Sequence, residues 1–272
     1  MEDLVAMEFN GLGQINVEIS SRCNKNCWMC GRRKRERLYG DQNYGDMDFD
    51  VLEKIAAQVP EGIMIAFHNN GEGLLYPRFK EAVELFPHCI TYLVTNGLLL
   101  VEKAEEIIGN LDILSISVIE KEDTMVKAFQ MAIIEKFLEL KGDQKPNVTL
   151  RFVGDVDEEP YKKFNLMGVR RLLHNPEGSV GFKKSPTIPE HGVCQDLLNR
   201  LAIDRYGNVS TCVRFDPDGE LVLGNIKEKR LAELWNSMKR EWMIAMHVRG
   251  KRKSISYCGD KCEFWGVPTG GK

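Results

Sequence analysis

The 272-residue chain contains no run of roughly 18 apolar residues, so it predicts no membrane-spanning helix. Its N-terminus, MEDLVAMEFNG, is acidic and lacks the apolar stretch of a signal peptide. An excess of either charge is also missing. The 37 Lys and Arg nearly balance 40 Asp and Glu, and the net charge of −3 gives no overall attraction to nucleic acid or an anionic membrane. These absences predict a cytoplasmic, thiol-preserving setting, where eight cysteines read as metal or redox ligands rather than disulfides. What is present, 43% hydrophobic and 28% charged residues, is the composition of a soluble globular protein with a sizeable core. The closing VPTGGK reads as a loose tail.

From residue 14 to about 153, strand-like and helix-like segments alternate. Strands are predicted over 14–20, 62–70, 90–97, 112–120 and 147–154. Helices are predicted over 48–59, 77–86, 101–111 and 124–141, where apolar residues recur three and four apart. That rhythm predicts parallel strands with right-handed crossovers, an α/β fold that fits a partial barrel at least as well as an open sheet. One face of the strands is repeatedly polar: Asn16, Glu18 and Ser20; His68 and Asn70; Ser115 and Ser117; Thr149 and Arg151. Helices covering both sides of a parallel sheet would leave such a face no water, so a cavity for a polar ligand is expected there, with one open, solvated sheet face as the alternative.

Cys23, Cys27 and Cys30 stand at C-x3-C-x2-C spacing directly behind the first strand. Three thiolates can hold three irons of a 4Fe–4S cube and leave the fourth iron open. A zinc knuckle borrowing a distant fourth ligand is the alternative that spacing leaves standing. Position favours the cluster, because α/β enzymes build their sites at the carboxyl ends of their strands.

This motif resembles the signature of the radical S-adenosylmethionine (radical SAM) superfamily. The resemblance implies that S-adenosylmethionine binds the open iron, that its reductive cleavage yields a 5′-deoxyadenosyl radical, and that this radical abstracts hydrogen from substrate. Trp28 and Met29 precede the third cysteine where the family often places one aromatic, and either can wall the adenine. HNNGEGLL (68–75) is similar to the family's Gly-Gly-Glu-Pro motif, which assigns Asn70, Gly71 and Glu72 to the methionine end of the cofactor, with Gly73 where proline is usual. The resemblance also implies cofactor contacts from Asn96, Ser115, Ser117 and Arg151.

Beyond residue 155 the rhythm breaks. Residues 174–192 are rich in Pro and Gly and read as loop, 199–215 as a hairpin turning at Tyr206-Gly207-Asn208, and 231–248 as one helix. The apolar stripe of that helix, Leu231, Leu234, Trp235, Met238, Trp242, Met243 and Met246, is expected to be core. Four cysteines lie here, Cys194, Cys212, Cys258 and Cys262, the complement of a closed metal centre, for which zinc is a serious alternative. Their order, with the hairpin and the Leu–Trp helix between them, resembles the SPASM/twitch extension of radical SAM enzymes, which implies one auxiliary 4Fe–4S cluster without an open iron. Cys89 is expected to be a buried structural thiol; a hydrogen-atom donor is the alternative.

The basic runs GRRKRER (31–37) and RGKRKS (249–254) have no aromatic stacking platform, so they are expected to be solvated loops rather than nucleic-acid contacts. Among the histidines only His68, near Glu72, has a functional case; His88, His174, His191 and His247 are expected in loops or on the surface.

The sequence thus predicts a partial (β/α)6 TIM-like barrel over 1–175 and a twitch iron–sulfur domain, a β-hairpin plus helix, over 176–272. The family resemblance implies two 4Fe–4S clusters, S-adenosylmethionine, an electron donor such as flavodoxin or ferredoxin, and a small-molecule substrate oxidised as an alcohol by two electrons. Substrate contacts are expected from loop 174–184 and from Arg170, Arg171 or Glu177. Peptide modification and epimerisation are the alternatives within the family. A non-catalytic iron–sulfur carrier or zinc-stabilised binding module is the alternative outside it.

Overall fold

Alternation along the first strand sets the two faces of the sheet. Ile15, Val17 and Ile19 are essentially inaccessible on one face, while Asn16 and Glu18 are buried on the other. The computed structural model describes residues 8–40, 42–173, 184–185, 193–214, 216–262 and 267–268. In chain order it contains β1 (Gln14–Val17), α1 (Gly31–Tyr39), α2 (Phe49–Ala56), β2 (Met64–Ala66), α3 (Phe79–Glu84), β3 (Ile90–Thr95), α4 (Ala104–Ile107) and β4 (Ile113–Ile119). There follow α5 (Thr124–Lys141), β5 (Asn147–Val153), a 3-10 helix (Glu159–Phe164), β6 (Met167–Arg171) and β7 (Lys184–Ser185). The C-terminal third adds α6 (Gln195–Asn199), β8 (Arg200–Ile203), β9 (Asn208–Ser210), β10 (Val222–Asn225), α7 (Leu231–Trp235), α8 (Met238–Val248) and β11 (Val267–Pro268).

Nine strands form one open sheet in the order β10-β9-β8-β1-β2-β3-β4-β5-β6. Strands β1 to β6 run parallel in sequence order, the partial barrel expected from the rhythm. Helix residues Val51, Leu52, Ile55, Phe79, Ile134 and Phe137 join Ile65, Phe67, Leu93, Ile116 and Leu150 of the strand region in one core. Each such side chain removed from water contributes about 1.5–3 kcal/mol. Asp123 starts α5 by accepting the N–H of Met125 at 2.8 Å, as an N-cap does.

The hairpin β8–β9 is not a separate appendage. β8 pairs in parallel with β1, Gln14 opposite Arg200 and Val17 opposite Ile203. Hydrogen bonds therefore join strands from either side of the expected 175/176 boundary, a point that itself lies outside the described residues.

Four expectations are corrected. The run 31–37 is helix α1 rather than loop, and its Arg32 is buried against the Tyr44 ring at 3.9 Å. β6 continues the sheet where the rhythm was expected to fail; only its central residue is even half-buried, so it carries little apolar signal. The helix over 231–248 breaks at Asn236-Ser237. Beyond the break Met238 is 85% exposed and Trp242 45% exposed, so neither is core. His247 and Arg252 are buried, not on the surface. Cys89, half-buried, has its Sγ 3.6 Å from the Pro60 carbonyl.

No helix among the described residues is long and apolar enough to cross a membrane.

Candidate active site and the two cysteine sets

The loop after β1 carries Cys23, Cys27 and Cys30, and α1 begins at the next residue. The loop is fastened by its neighbours. Arg33 donates to the Lys25 carbonyl at 2.7 Å, Lys25 pairs with Glu122 at 2.6 Å, and the Trp28 indole donates to the Glu120 carbonyl at 3.0 Å. The loop after β2 docks against it: the Glu72 N–H donates to the Arg22 carbonyl at 2.7 Å. A Cβ on Gly71 would fall 2.1 Å from the Ser20 carbonyl oxygen, so only glycine permits this approach. Gly73 is equally confined, with the Phe67 carbonyl oxygen 2.6 Å from where a Cβ would stand.

Glu72 is buried, and its carboxylate accepts from Leu74 N–H (3.2 Å), the Thr95 hydroxyl (2.8 Å) and Asn96 N–H (2.8 Å). Burial raises its pKa against those three donors. The Asn96 side chain reaches back to Asn24 Oδ1 at 2.7 Å and lies 4.0 Å from Cys23 Sγ. The loops after β1, β2 and β3 are thereby locked into one constellation.

A cavity of about 270 Å³ brings together the three cysteines, Met29, Asn70, Gly71, Glu72, Asn96, Ser117 and Arg151. Arg32, His68, Arg171 and Arg214 also line it. Two expected contacts are not in that lining. Trp28 is turned to the Glu120 carbonyl, with the Lys121 ammonium 4.8 Å from its ring centroid, which leaves Met29 on the cavity. Ser115 is spent on Thr149, oxygen to oxygen at 2.6 Å. The expected substrate loop, Glu177 included, lies almost wholly outside the described residues. Arg170 pairs outside the cavity with Glu158 at 2.7 Å.

Burial holds His68 down to about pKa 3, with Arg151 and Arg200 adding repulsion, so the ring is neutral at physiological pH. A second lobe of about 470 Å³ adjoins the first through shared Arg32, Asn69 and Asn70. Glu18 lines it beside Asp204, Asp216 and Cys212. Burial, then the charge of Asp204, lifts the Glu18 carboxyl to about pKa 7.

The donor set fits an iron–sulfur cluster and its organic ligand. Burial pushes the Cys27 thiol up to about 12, and Cys30 and Cys23 add to it while Lys25 opposes. Thiols that raise one another's pKa are relieved when a metal takes them as thiolates. Buried polar atoms Nδ1 of His68, Oδ1 of Asn69 and Nε of Arg151 have no hydrogen-bond partner among the described residues. All three side chains line the cavity, as acceptors and donors for a polar ligand.

The second set assembles from distant segments. Cys194 opens α6, Cys212 follows β9, and Cys258 sits in the π turn Tyr257–Lys261 just before Cys262. Burial and then Cys262, Cys212 and Cys194 raise the Cys258 pKa, which places the four thiols in one electrostatic neighbourhood. Leu197, Leu221, Met243, Ile255 and Tyr257 form a small core around them. Two side chains that pattern reasoning placed on the surface brace this set. Arg252 donates to the Cys258 carbonyl at 2.5 Å, and His247 Nδ1 accepts the Cys194 N–H at 3.4 Å. Their periodicity alone carries no such signal. Among the described residues no three His, Cys, Asp or Glu side chains are grouped tightly enough for a single metal ion.

Comparison with known proteins agrees with this geometry. Residues 194–263 match the SPASM iron–sulfur cluster-binding domain. The tungsten-containing aldehyde ferredoxin oxidoreductase cofactor-modifying protein of Pyrococcus furiosus is 26% identical, over 91% of this chain and 88% of its own length. The S-adenosyl-L-methionine-dependent 2-deoxy-scyllo-inosamine dehydrogenase of Niallia circulans is 25% identical, over 90% of each. Among solved structures, BtrN in complex with AdoMet and 2-DOIA aligns over 92% of both chains with a TM-score of 0.57 at 19% identity. AdoMet-bound anSMEcpe aligns over 92% of this chain and 86% of its own with a TM-score of 0.63 at 16% identity. The open α/β sheet with a three-cysteine loop at its carboxyl edge, followed by a SPASM-type region, resembles the radical SAM enzymes among these relatives. Within that superfamily the chain is similar to the SPASM/twitch group.

Proposed function

We propose that the enzyme takes a carbon-bound hydrogen from a small polar substrate and oxidises an alcohol there by two electrons. The observation that supports this reading is the meeting, in one cavity at the carboxyl ends of parallel strands, of the cysteine loop with Glu72, Asn96, Ser117 and Arg151. The nature of one relative, a named dehydrogenase, favours oxidation over other radical outcomes. Cys23, Cys27 and Cys30 would hold the open cluster, and Cys194, Cys212, Cys258 and Cys262 the closed one. When bound, the clusters and S-adenosylmethionine supply the one-electron chemistry: hydrogen-atom abstraction and an acceptor for the second electron.

The chain's own residues set the stage for it. Glu72, fixed by three donors, holds the loops after β2 and β3 in register with the cysteines. Met29 and Val153 give the cavity apolar wall between its polar groups. The alcohol must also lose its hydroxyl proton, and Glu18, titrating near neutrality in the adjoining lobe, is the base placed to take it. His68, neutral and with a free Nδ1, accepts or donates a hydrogen bond without adding charge. A small acidic carrier such as flavodoxin or ferredoxin is the reductant this scheme requires.

Anaerobic reconstitution tests the reading. It should give about eight irons per chain, and dithionite with S-adenosylmethionine should release 5′-deoxyadenosine. Release that persists in Cys23→Ala would overturn the assignment of the open cluster.

A further inference from the structure

We propose that the cavity contains an anion subsite, built by Arg151, Arg171 and Arg214, that takes a phosphate monoester or other acidic group of the substrate. The proposal rests on the radical SAM reading and adds the substrate's charge to it.

Three elements deliver the three guanidinium groups. Arg151 comes from β5, Arg171 from the end of β6, and Arg214 from the segment just after Cys212, and all three line the same 270 Å³. Strand alternation separates Arg171 from its neighbour Arg170, which is paired with Glu158 outside the cavity. The positive groups sense one another: burial first, and then Arg171 and Arg214, lower the Arg151 pKa, with Tyr92 opposing. Arg151 is the most buried of the three, Arg171 being exposed and Arg214 partly so, and a buried charge is costly unless a counter-charge joins it.

The described residues supply part of that counter-charge. Among the described residues Glu72 is the one carboxylate in the cavity lining, and both its oxygens are already engaged by Leu74, Thr95 and Asn96. Asp196 meets Arg214 at 2.9 Å but is shared with Arg200 at 3.3 Å. His68, in the same lining, is neutral. Nor does S-adenosylmethionine balance the account: its one carboxylate is offset by its sulfonium, and its amino group brings no negative charge. The thiolates of Cys23, Cys27 and Cys30 would be largely neutralised by the irons they hold, so the three arginines still favour an anion from the remaining ligand. Guanidinium forks suit the oxygens of phosphate or carboxylate, and three of them favour the dianion of a phosphate monoester.

The test uses reconstituted holoenzyme saturated with S-adenosylmethionine, titrated calorimetrically with inorganic phosphate or with acetate at constant ionic strength. Saturable phosphate binding is expected, weakened about tenfold or more in Arg171→Gln and unchanged in Arg170→Gln. Thermal melting of both variants checks that each is folded. Phosphate binding well above acetate assigns a phosphate monoester, and comparable binding assigns a carboxylate; either supports the subsite. Binding of neither anion, or equal binding by wild type and Arg171→Gln, overturns it. Release of 5′-deoxyadenosine by the same wild-type preparation reports separately on the radical SAM reading, so the two can fail independently.

Discussion

The two cysteine sets are built by opposite strategies. The first is local: three thiols within eight residues, on a loop pinned by side chains of other elements and open on a polar cavity. The second is long-range: four thiols spread over Cys194 to Cys262, gathered around an apolar cluster of their own. The contrast teaches which features make a metal site reactive. Incomplete ligation and an adjoining cavity suit chemistry on an organic ligand, whereas complete ligation and an apolar surround suit electron storage and structural bracing.

The comparison can be broken by exchanging the consequences of losing each set. Cys23→Ala should abolish S-adenosylmethionine cleavage and halve the iron content, while Cys258→Ala should also halve the iron but slow cleavage far less and lower the melting temperature more. Equal loss of cleavage in both, measured as 5′-deoxyadenosine, would erase the functional division between the sites.

Glu18 sharpens it next, because it stands at the join of the two regions, β1 leading to Glu18 and β8 to Asp204. Its pKa rises from 4.5 to about 7 on folding, so the folded protein binds the proton more tightly. That contribution is fully present below pH 4.5 and is lost as pH rises through about 7, an effect of about 3 kcal/mol. Glu18→Gln should therefore flatten this part of the stability–pH profile and melt higher than wild type at pH 8. An unchanged difference between the two proteins from pH 5 to 8 would show that Glu18 titrates normally.

Gly71→Ala should cost about 2 kcal/mol or more, since its Cβ must displace backbone of the cysteine loop. Reconstitution of the first cluster should suffer and that of the second should not, as read by iron content and melting. At the small end, Met238→Gln on α8 should change stability by less than about 0.5 kcal/mol, because the side chain is 85% exposed.

What could be read in the sequence follows the same division. The cysteine loop, β1 to β5 and α5 were legible because spacing and apolar period are local signals. The polar strand face did foretell a cavity, though Ser115 turned out to serve Thr149 rather than to line it. β6 escaped because an edge strand reading Met-Gly-Val-Arg-Arg needs few apolar residues. Helix α1 escaped because its charges suggested solvent, although Arg32 and Arg33 are used inward on Tyr44 and the Lys25 carbonyl. The break at Asn236-Ser237 and the bracing roles of His247 and Arg252 depend on partners distant in sequence or on carbonyl acceptors, and no residue pattern encodes those.

The pairing of β8 with β1 has a consequence for manufacture and for electron transfer alike. A fragment ending near residue 175 would strip β1 of its neighbour and present a bare row of amides and carbonyls, an invitation to aggregate. For the same reason the segment from Cys194 to Cys212 is held to the strand before the first cysteine loop by a rung-by-rung ladder and not by a tether alone. Any electron passed from the first cysteine set to the second would then travel across a sheet and not across a loose linker.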